Sequence, residues 1–458
     1  MSRFQAETGF SFTRPQFQEL VERALALARA AGASDAAAEV SEGIGLSVSV
    51  RKGELENVER NRDKSLGVTV FIGQRRGNAS TSDFSPAALE RTVQAAFDIA
   101  RFTAEDPAAG LPDAEDLAPA AEAERDLDLF HPWEGLDAEK AAELALRAEA
   151  AAFAVDRRVT NSEGAAVAAQ QSHFWAGNTR GFAGGYASSR HSLSVAPIAG
   201  RGAGMQRDAW YTSMRDPADL AAPEAVGRYA AERALARLGA RRVPTGEVPV
   251  LFEAPVAGGL LGAFVQAVSG GALYRKATFL ADSLGTRVLA GHLDIDEDPH
   301  LPKGKASAPF DDEGVRTRAR RVVDAGVVQG YFLSSSSARK LGMRTTGHAG
   351  GAHNLRLSSR RTDPGDDLDA MIAMLGRGLF VTELMGQGVN GVTGDYSRGA
   401  AGFWVEGGRI VHPVHEITIA GNLRQMFDDI VAVGADVYTQ GNRSIGSVLI
   451  ERMKLAGA

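Results

Sequence analysis

Apolar residues at Phe17, Leu20, Val21, Ala24, Leu25 and Leu27 recur at the spacing of one helix face, which predicts an amphipathic helix over Pro15–Ala31. Thr13 or Arg14 precedes Pro15, a good first-turn residue, and Gly32 stands where a left-handed C-cap is expected. The period then shortens to alternation. GLSVSVRKG from Gly45, ELENVER from Glu54 and SLGVTVFIGQRRGNAST from Ser65 read as strands, with a turn near Gly73 and a second helix over Ser85–Arg101. Residues 105–125, rich in Pro, Ala, Asp and Glu, read as a linker. Helices return at Asp137–Ala154 and Pro223–Leu238, flanking strands near Val159–Thr179 and Phe182–Pro197. From Val248 onward short strands and glycine turns dominate, with helices near Val256–Val268, Ser336–Leu341 and Pro364–Leu375. The reading is an α+β chain: an N-terminal helix and strand-meander domain (1–104), a linker and central domain (105–240), and a β-rich, antiparallel C-terminal domain with inserted helices (241–458).

Composition narrows the function classes. A net charge of −7 gives no strong attraction to nucleic acid. The longest apolar runs are too short to cross a bilayer, and MSRFQAETGFSF carries no signal-like hydrophobic core. No cysteine is present, so disulfides are excluded and a cytoplasmic setting is expected.

The densest chemistry lies in VTELMGQGVNGVTGDYSRGAAGFWVEGG, Val381–Gly408. Glycines at Gly386, Gly388, Gly391 and Gly394 break any helical period and permit close backbone approach, and Ala400–Val405 reads as a buried strand. Its polar residues Glu383, Asn390, Asp395, Ser397 and Arg398 are the candidates for a cavity wall. Two readings stand: a packed core beside a cleft, or hairpin turns without a ligand. Asp395 and Arg398 are equally readable as a structural ion pair, and Arg275 and Lys276 carry the same ambiguity.

Other constellations fare worse. His412 and His415, followed by Glu416, lie in a segment that reads as strand, where residues three apart face opposite ways. LDIDEDPH, Leu293–His300, reads as a solvated acidic turn, lacking the glycine and terminal glutamate of a calcium loop. His348 and His353 read as satisfied loop histidines. The run Ser334–Ser337 has no nucleophile elbow and reads as a strand-to-helix junction, with Ser337 or a neighbour capping the helix. GVTGDYSRGAAG lacks the Gly-Lys-Ser/Thr of a phosphate loop, and strand rather than helix follows Gly399, against a dinucleotide fingerprint.

Together with NTRGFAGGYASSRHSLSVAPIA from Asn178, SGGALYRKATFLADSLG from Ser269, LGMRTTGHAGGAHNL from Leu341 and HEITIAGNLRQMF from His415, the Val381–Gly408 block resembles the TldD/PmbA family, and within it the PmbA (TldE) branch. The resemblance spans nearly the whole chain. It implies membership of a group once labelled modulator of DNA gyrase, in which TldD subunits bind zinc through a His-Glu-x-x-x-His helix and a cysteine. PmbA subunits lack those ligands and pair with TldD in a heterodimer that cuts unfolded peptides inside an enclosed cavity. Matching the blocks places Gly262, Ala263 and Ala267 where His, Glu and His would stand. The implied chain therefore has no catalytic residue and no cofactor of its own, zinc being expected in a TldD-like partner. The alternative is a stand-alone or homodimeric peptide-binding protein without protease activity.

Overall fold

The computed structural model describes residues 8–457; residues 1–7, part of the stretch read as lacking a signal-like core, lie outside them. The chain divides into two compact units. One comprises the residues up to Leu235 together with Ala308–Thr317, the other Ala236–Ser307 and Arg318–Ala458.

The first unit is built on an eight-stranded sheet. Its strands are β1 (Asp35–Arg51), β2 (Glu54–Ile72), β3 (Arg75–Thr81), β4 (Val159–Asn178), β5 (Ala183–Gly184), β6 (Ala187–Ala199), β7 (Gln206–Arg207) and β8 (Trp210–Met214). The order is β3-β2-β1-β4-β6-β7, with β5 beside β4 and β8 beside β6. Helix Arg14–Ala30 starts at a capping box: Thr13 accepts from the Gln16 N–H and Gln16 accepts from the Thr13 N–H at 2.7 Å. This helix and Pro86–Phe102 bury Phe17, Val21, Leu89 and Val93 against Ala36, Ala38 and Val40 of β1 and Leu66, Val68 and Val70 of β2. Helix Ala138–Val155 extends the same layer over Val48, Val50, Val167 and Leu193.

Three expectations change here. ELENVER and SLGVTVFI form one strand, because β1 pairs with β2 from Asp35↔Phe71 to Arg51↔Glu54 with a single register shift between Ser49 and Val50. Strand β1 begins at Asp35 rather than Gly45, since Ala36 and Ala38, poor strand formers, are fixed by the helices above them. Residues 105–125 are not a free linker. Leu117 and Ala118 are buried with Phe182 and Phe310, and Ala118 N–H donates to the Gly314 carbonyl at 2.9 Å.

The second unit holds two six-stranded sheets. The first contains β10 (Leu293–Asp298), β11 (Arg320–Asp324), β12 (Val327–Val328), β13 (Asn354–Ser359), β18 (Tyr438–Gln440) and β19 (Arg443–Ile445), in the order β12-β11-β10-β13-β19-β18. The second contains β9 (Gly246–Phe252), β14 (Gly378–Met385), β15 (Asp395–Glu406), β16 (Arg409–Asn422), β17 (Ile430–Val433) and β20 (Val448–Ala456), in the order β16-β15-β14-β9-β20-β17. An additional β16–β20 pairing closes part of it on itself. The pairing is antiparallel except for β9–β14 and β13–β19. Helix Ala254–Ala267 contributes Leu260, Leu261 and Phe264 to a core shared with strands of both sheets. The mixed helix and antiparallel-sheet architecture is the α+β class expected from the pattern. Among the described residues no helix is long and apolar enough to cross a membrane.

Candidate functional site

The Val381–Gly408 segment folds as a hairpin of β14 and β15. Its glycines serve close backbone contact: a Cβ at Gly388 would lie 1.8 Å from the Ser397 carbonyl oxygen, and one at Gly402 1.9 Å from that of Phe380. At the tip, Asn390 N–H donates to the Asp395 carbonyl at 2.8 Å, and the Asn390 side chain accepts from Val392 N–H at 2.9 Å. The Asp395 carboxylate accepts from Thr393 Oγ1 at 2.7 Å and from Asn422 Nδ2 at 3.2 Å, and these bonds hold its pKa below the ordinary carboxylate value. Arg398 donates instead to the Met385 carbonyl at 3.1 Å, so the Asp395–Arg398 pair read from the sequence does not form; the hairpin turns them to different partners. Glu383 is bonded to the buried Arg237. Of the five candidates, Asn390 and Asp395 meet at the tip, Ser397 follows on β15 with an exposed side chain, and Glu383 and Arg398 are engaged elsewhere. Beside the tip, Arg287, Asn422, Arg424, Gln425 and Asp428 line a polar depression of about 500 Å³, which had no local signature.

The second candidate region is helix Ala254–Ala267. Gly258 and Gly262 lie on one helical face, four residues apart. The Arg443 guanidinium rests there: a Cβ at Gly262 would lie 2.6–2.9 Å from three of its atoms, and Arg443 Nη1 donates to the Gly258 carbonyl at 3.4 Å. Arg443 Nε is buried without a hydrogen-bond partner, and no carboxylate pairs with this arginine among the described residues. Ala263 packs partly buried against the core and Ala267 is buried.

The acidic stretch Leu293–His300 is not a solvated turn. Leu293–Asp298 is strand β10, with Asp294 and Glu297 buried opposite arginines. Asp294 accepts from Arg360 at 2.8 and 2.9 Å. Glu297 accepts from Arg320 Nε at 2.8 Å and from His353 N–H at 2.8 Å, and contacts His348 Nε2 at 2.9 Å. Burial pushes the Glu297 carboxyl up, but the His348 hydrogen bond and the Arg320 charge outweigh it and hold the pKa down at about 2. Burial lowers His348, against the pull of Glu297. His348 Nε2 lies 2.9 Å from Glu297 and 3.2 Å from Arg320 Nη2, and its Nδ1 lies 2.9 Å from Thr346 Oγ1. Both histidines are thus buried and bonded.

His412 and His415 lie on β16, as the strand pattern indicates, but a bulge at His415–Glu416 interrupts the alternation. Glu416 has φ 51° and bonds to Arg242 at 2.6 Å, and His412 Nδ1 faces the Pro413 carbonyl at 3.1 Å. The helix after the serine run starts at Ser335, with Ser334 as cap and Ser337 reciprocating, so the cap lies three residues before Ser337. Among the described residues, no three His, Cys, Asp or Glu side chains come together as a metal site would require.

Three family models cover the chain: PmbA/TldA metallopeptidase domain 1 at residues 36–100, the central domain at 131–238 and the C-terminal domain at 245–457. The chain is 52% identical over 448 residues to Metalloprotease PmbA of Escherichia coli O157:H7, covering 97% of each. It is 46% identical over 455 residues to a Metalloprotease PmbA homolog of Haemophilus influenzae, covering 99% of each. Among solved structures it resembles a putative modulator of DNA gyrase from Bacteroides thetaiotaomicron, with a TM-score of 0.90 at 27% identity, covering 97% of this chain and all of that one. It shares its fold with TldE from Thermococcus kodakarensis, with a TM-score of 0.82 at 19% identity, covering 95% of this chain and 99% of that one. Three consecutive domain matches and half-identity over nearly the full length place the chain in the PmbA/TldD metallopeptidase family, in its PmbA branch.

Proposed function

We propose that this chain is the subunit of a two-chain metallopeptidase that carries no catalytic metal. It pairs with a zinc-bearing, TldD-like subunit in the cytoplasm and forms one wall of a chamber for unfolded peptides. The metalloprotease name of its relatives then describes the activity of the pair. One observation carries the reading: the surface of helix Ala254–Ala267 at Gly262 is covered by the fixed positive charge of Arg443, which repels a divalent ion. The side chains of Gly262, Ala263 and Ala267 supply no lone pair, and the chain has no thiolate, whereas a catalytic zinc needs about three protein ligands and an open position. The residues present do not fit the metal. In this reading Asn390, Asp395 and Ser397 face the peptide, while Glu383 and Arg398 stabilise the hairpin behind them.

The test mixes the purified chain with the TldD-like subunit of the same source. The expected result is chelator-sensitive cleavage of casein by the mixture and none by this chain alone. Chelator-sensitive cleavage by the chain alone, or one bound transition metal per isolated chain by elemental analysis, would overturn the reading. Peptide binding by a homodimer that ignores the added subunit would favour the stand-alone alternative.

A further inference from the structure

In the first unit the helices cover the sheet face that carries Ala36, Ala38 and Val40, so alternation directs Glu39, Ser41 and Gly43 to the opposite face. A cavity of about 470 Å³ opens there. One wall is aromatic. Phe174 and Tyr186 meet edge to face at 4.8 Å, Phe182 and Phe310 at 4.9 Å, and Tyr186 and Phe310 at 5.8 Å. Glycines fix these rings: Gly314 has φ 80°, and a Cβ there would lie 2.5 Å from Phe182, while one at Gly184 would lie 2.8 Å from Phe310.

Facing the rings is Glu39, whose cross-strand neighbours are Gly67 and Ala176, too small to cover it. Among the described residues nothing donates a hydrogen bond to the Glu39 carboxylate and no cation pairs with it. Glu39 is exposed to the cavity opening; the atoms lining the cavity still raise its pKa, and the charge of Asp312, another lining residue, adds to the rise. The lone basic residue of the lining, Lys64, does not relieve this. Its ammonium sits 4.8 Å over the Phe84 ring and 5.1 Å over that of Phe12, residues packed with the helix layer. An anion would be repelled from such a cavity, and a neutral apolar group would strip water from the carboxylate without replacing it. A cation on a hydrocarbon stem satisfies both walls: stem and charge against ring faces, charge against carboxylate.

We propose that this cavity is a binding site for an alkylammonium or guanidinium group, and that its ligand is the lysine or arginine side chain of an extended peptide. The assignment of a peptide rests on the chamber reading above; the cation chemistry rests on the cavity alone.

Fluorescence anisotropy tests it on the isolated chain, with short acetylated and amidated Gly/Ser peptides carrying one central lysine, arginine, norleucine or glutamate. Lysine and arginine peptides are expected to bind about tenfold more tightly than the norleucine peptide, and the glutamate peptide most weakly. Glu39→Gln is expected to bring the lysine peptide to the norleucine level with norleucine binding unchanged, and Phe174→Leu to weaken the lysine peptide in a protein whose thermal melt is preserved. Equal affinity for lysine and norleucine, or a preference that survives Glu39→Gln, would overturn the site. Competition by free butylamine at the potency of the lysine peptide would overturn the peptide as its ligand. The outcomes separate from those of the subunit reading: a lysine preference without cleavage by the mixed subunits sinks only the earlier proposal, and cleavage without a lysine preference sinks only this one.

Discussion

Arg320 and Arg443 are two half-buried arginines of the same unit with opposite environments. Arg320 donates to Glu297 and to the Tyr331 carbonyl, both at 2.8 Å, and stacks 4.8 Å over Phe332. Arg443 lies on helix backbone with one long hydrogen bond and no carboxylate. The first is part of a closed polar network whose charges cancel, and such networks hold a fold together. The second keeps its charge uncompensated. Lying over Gly262, it occupies the helix surface without an ion pair to stabilise it.

The comparison breaks if the two sites respond alike to substitution. The largest effect is expected for Glu297→Gln, which leaves the half-buried Arg320 without its counter-charge. Urea unfolding is expected to show a loss of about 3 kcal/mol. Gly262→His is next: the added side chain meets the guanidinium, and overpacking costs about 2 kcal/mol. Most of that loss returns in Gly262→His combined with Arg443→Ser, because the second change removes the clash; equal losses in the single and double variants would contradict the packing described.

A pH series sharpens the contrast. Glu297 has a folded pKa of about 2, depressed from the ordinary 4.5, so its contribution to stability is complete above about pH 4.5 and is lost as pH falls toward 2. That contribution is about 3 kcal/mol, and it is expected to disappear from the acid limb of the stability profile of Glu297→Gln. The smallest effect is expected for Arg443→Gln, within about 1 kcal/mol of the parent, since no ion pair is broken. A loss as large as that of Glu297→Gln would erase the distinction between the two arginines.

The helices were legible because their apolar spacing and caps are local. Thr13, Pro15 and Gln16 mark one start, and Ser85, Asp137 and Asp367 cap others. Strand continuity was less legible, since the charged stretch of β2 gains its order from pairing with β1 and not from its own composition. The acidic Leu293–His300 misled for a related reason: the arginines that neutralise it come from Arg320, Arg321 and Arg360, distant in the chain. At the candidate site, the polar residues of Val381–Gly408 could be named from sequence, but not sorted. Asp395 and Arg398 lie three residues apart, yet the hairpin sends them to Thr393 and Asn422 in one case and to Met385 in the other.

The sequence by itself determined the long helices, the α+β class and the absence of metal-ligating side chains at Gly262, Ala263 and Ala267, because periodicity, caps and residue identities are properties of short stretches or single positions. Only the tertiary structure decided what fills the space at Gly262 and what faces Glu39. Arg443 reaches Gly258, 185 residues away in the chain, and Phe310 belongs to the first unit although the sequence on either side of Ala308–Thr317 belongs to the second. Such meetings follow from how the sheets order their strands, and no local pattern of side chains encodes that order.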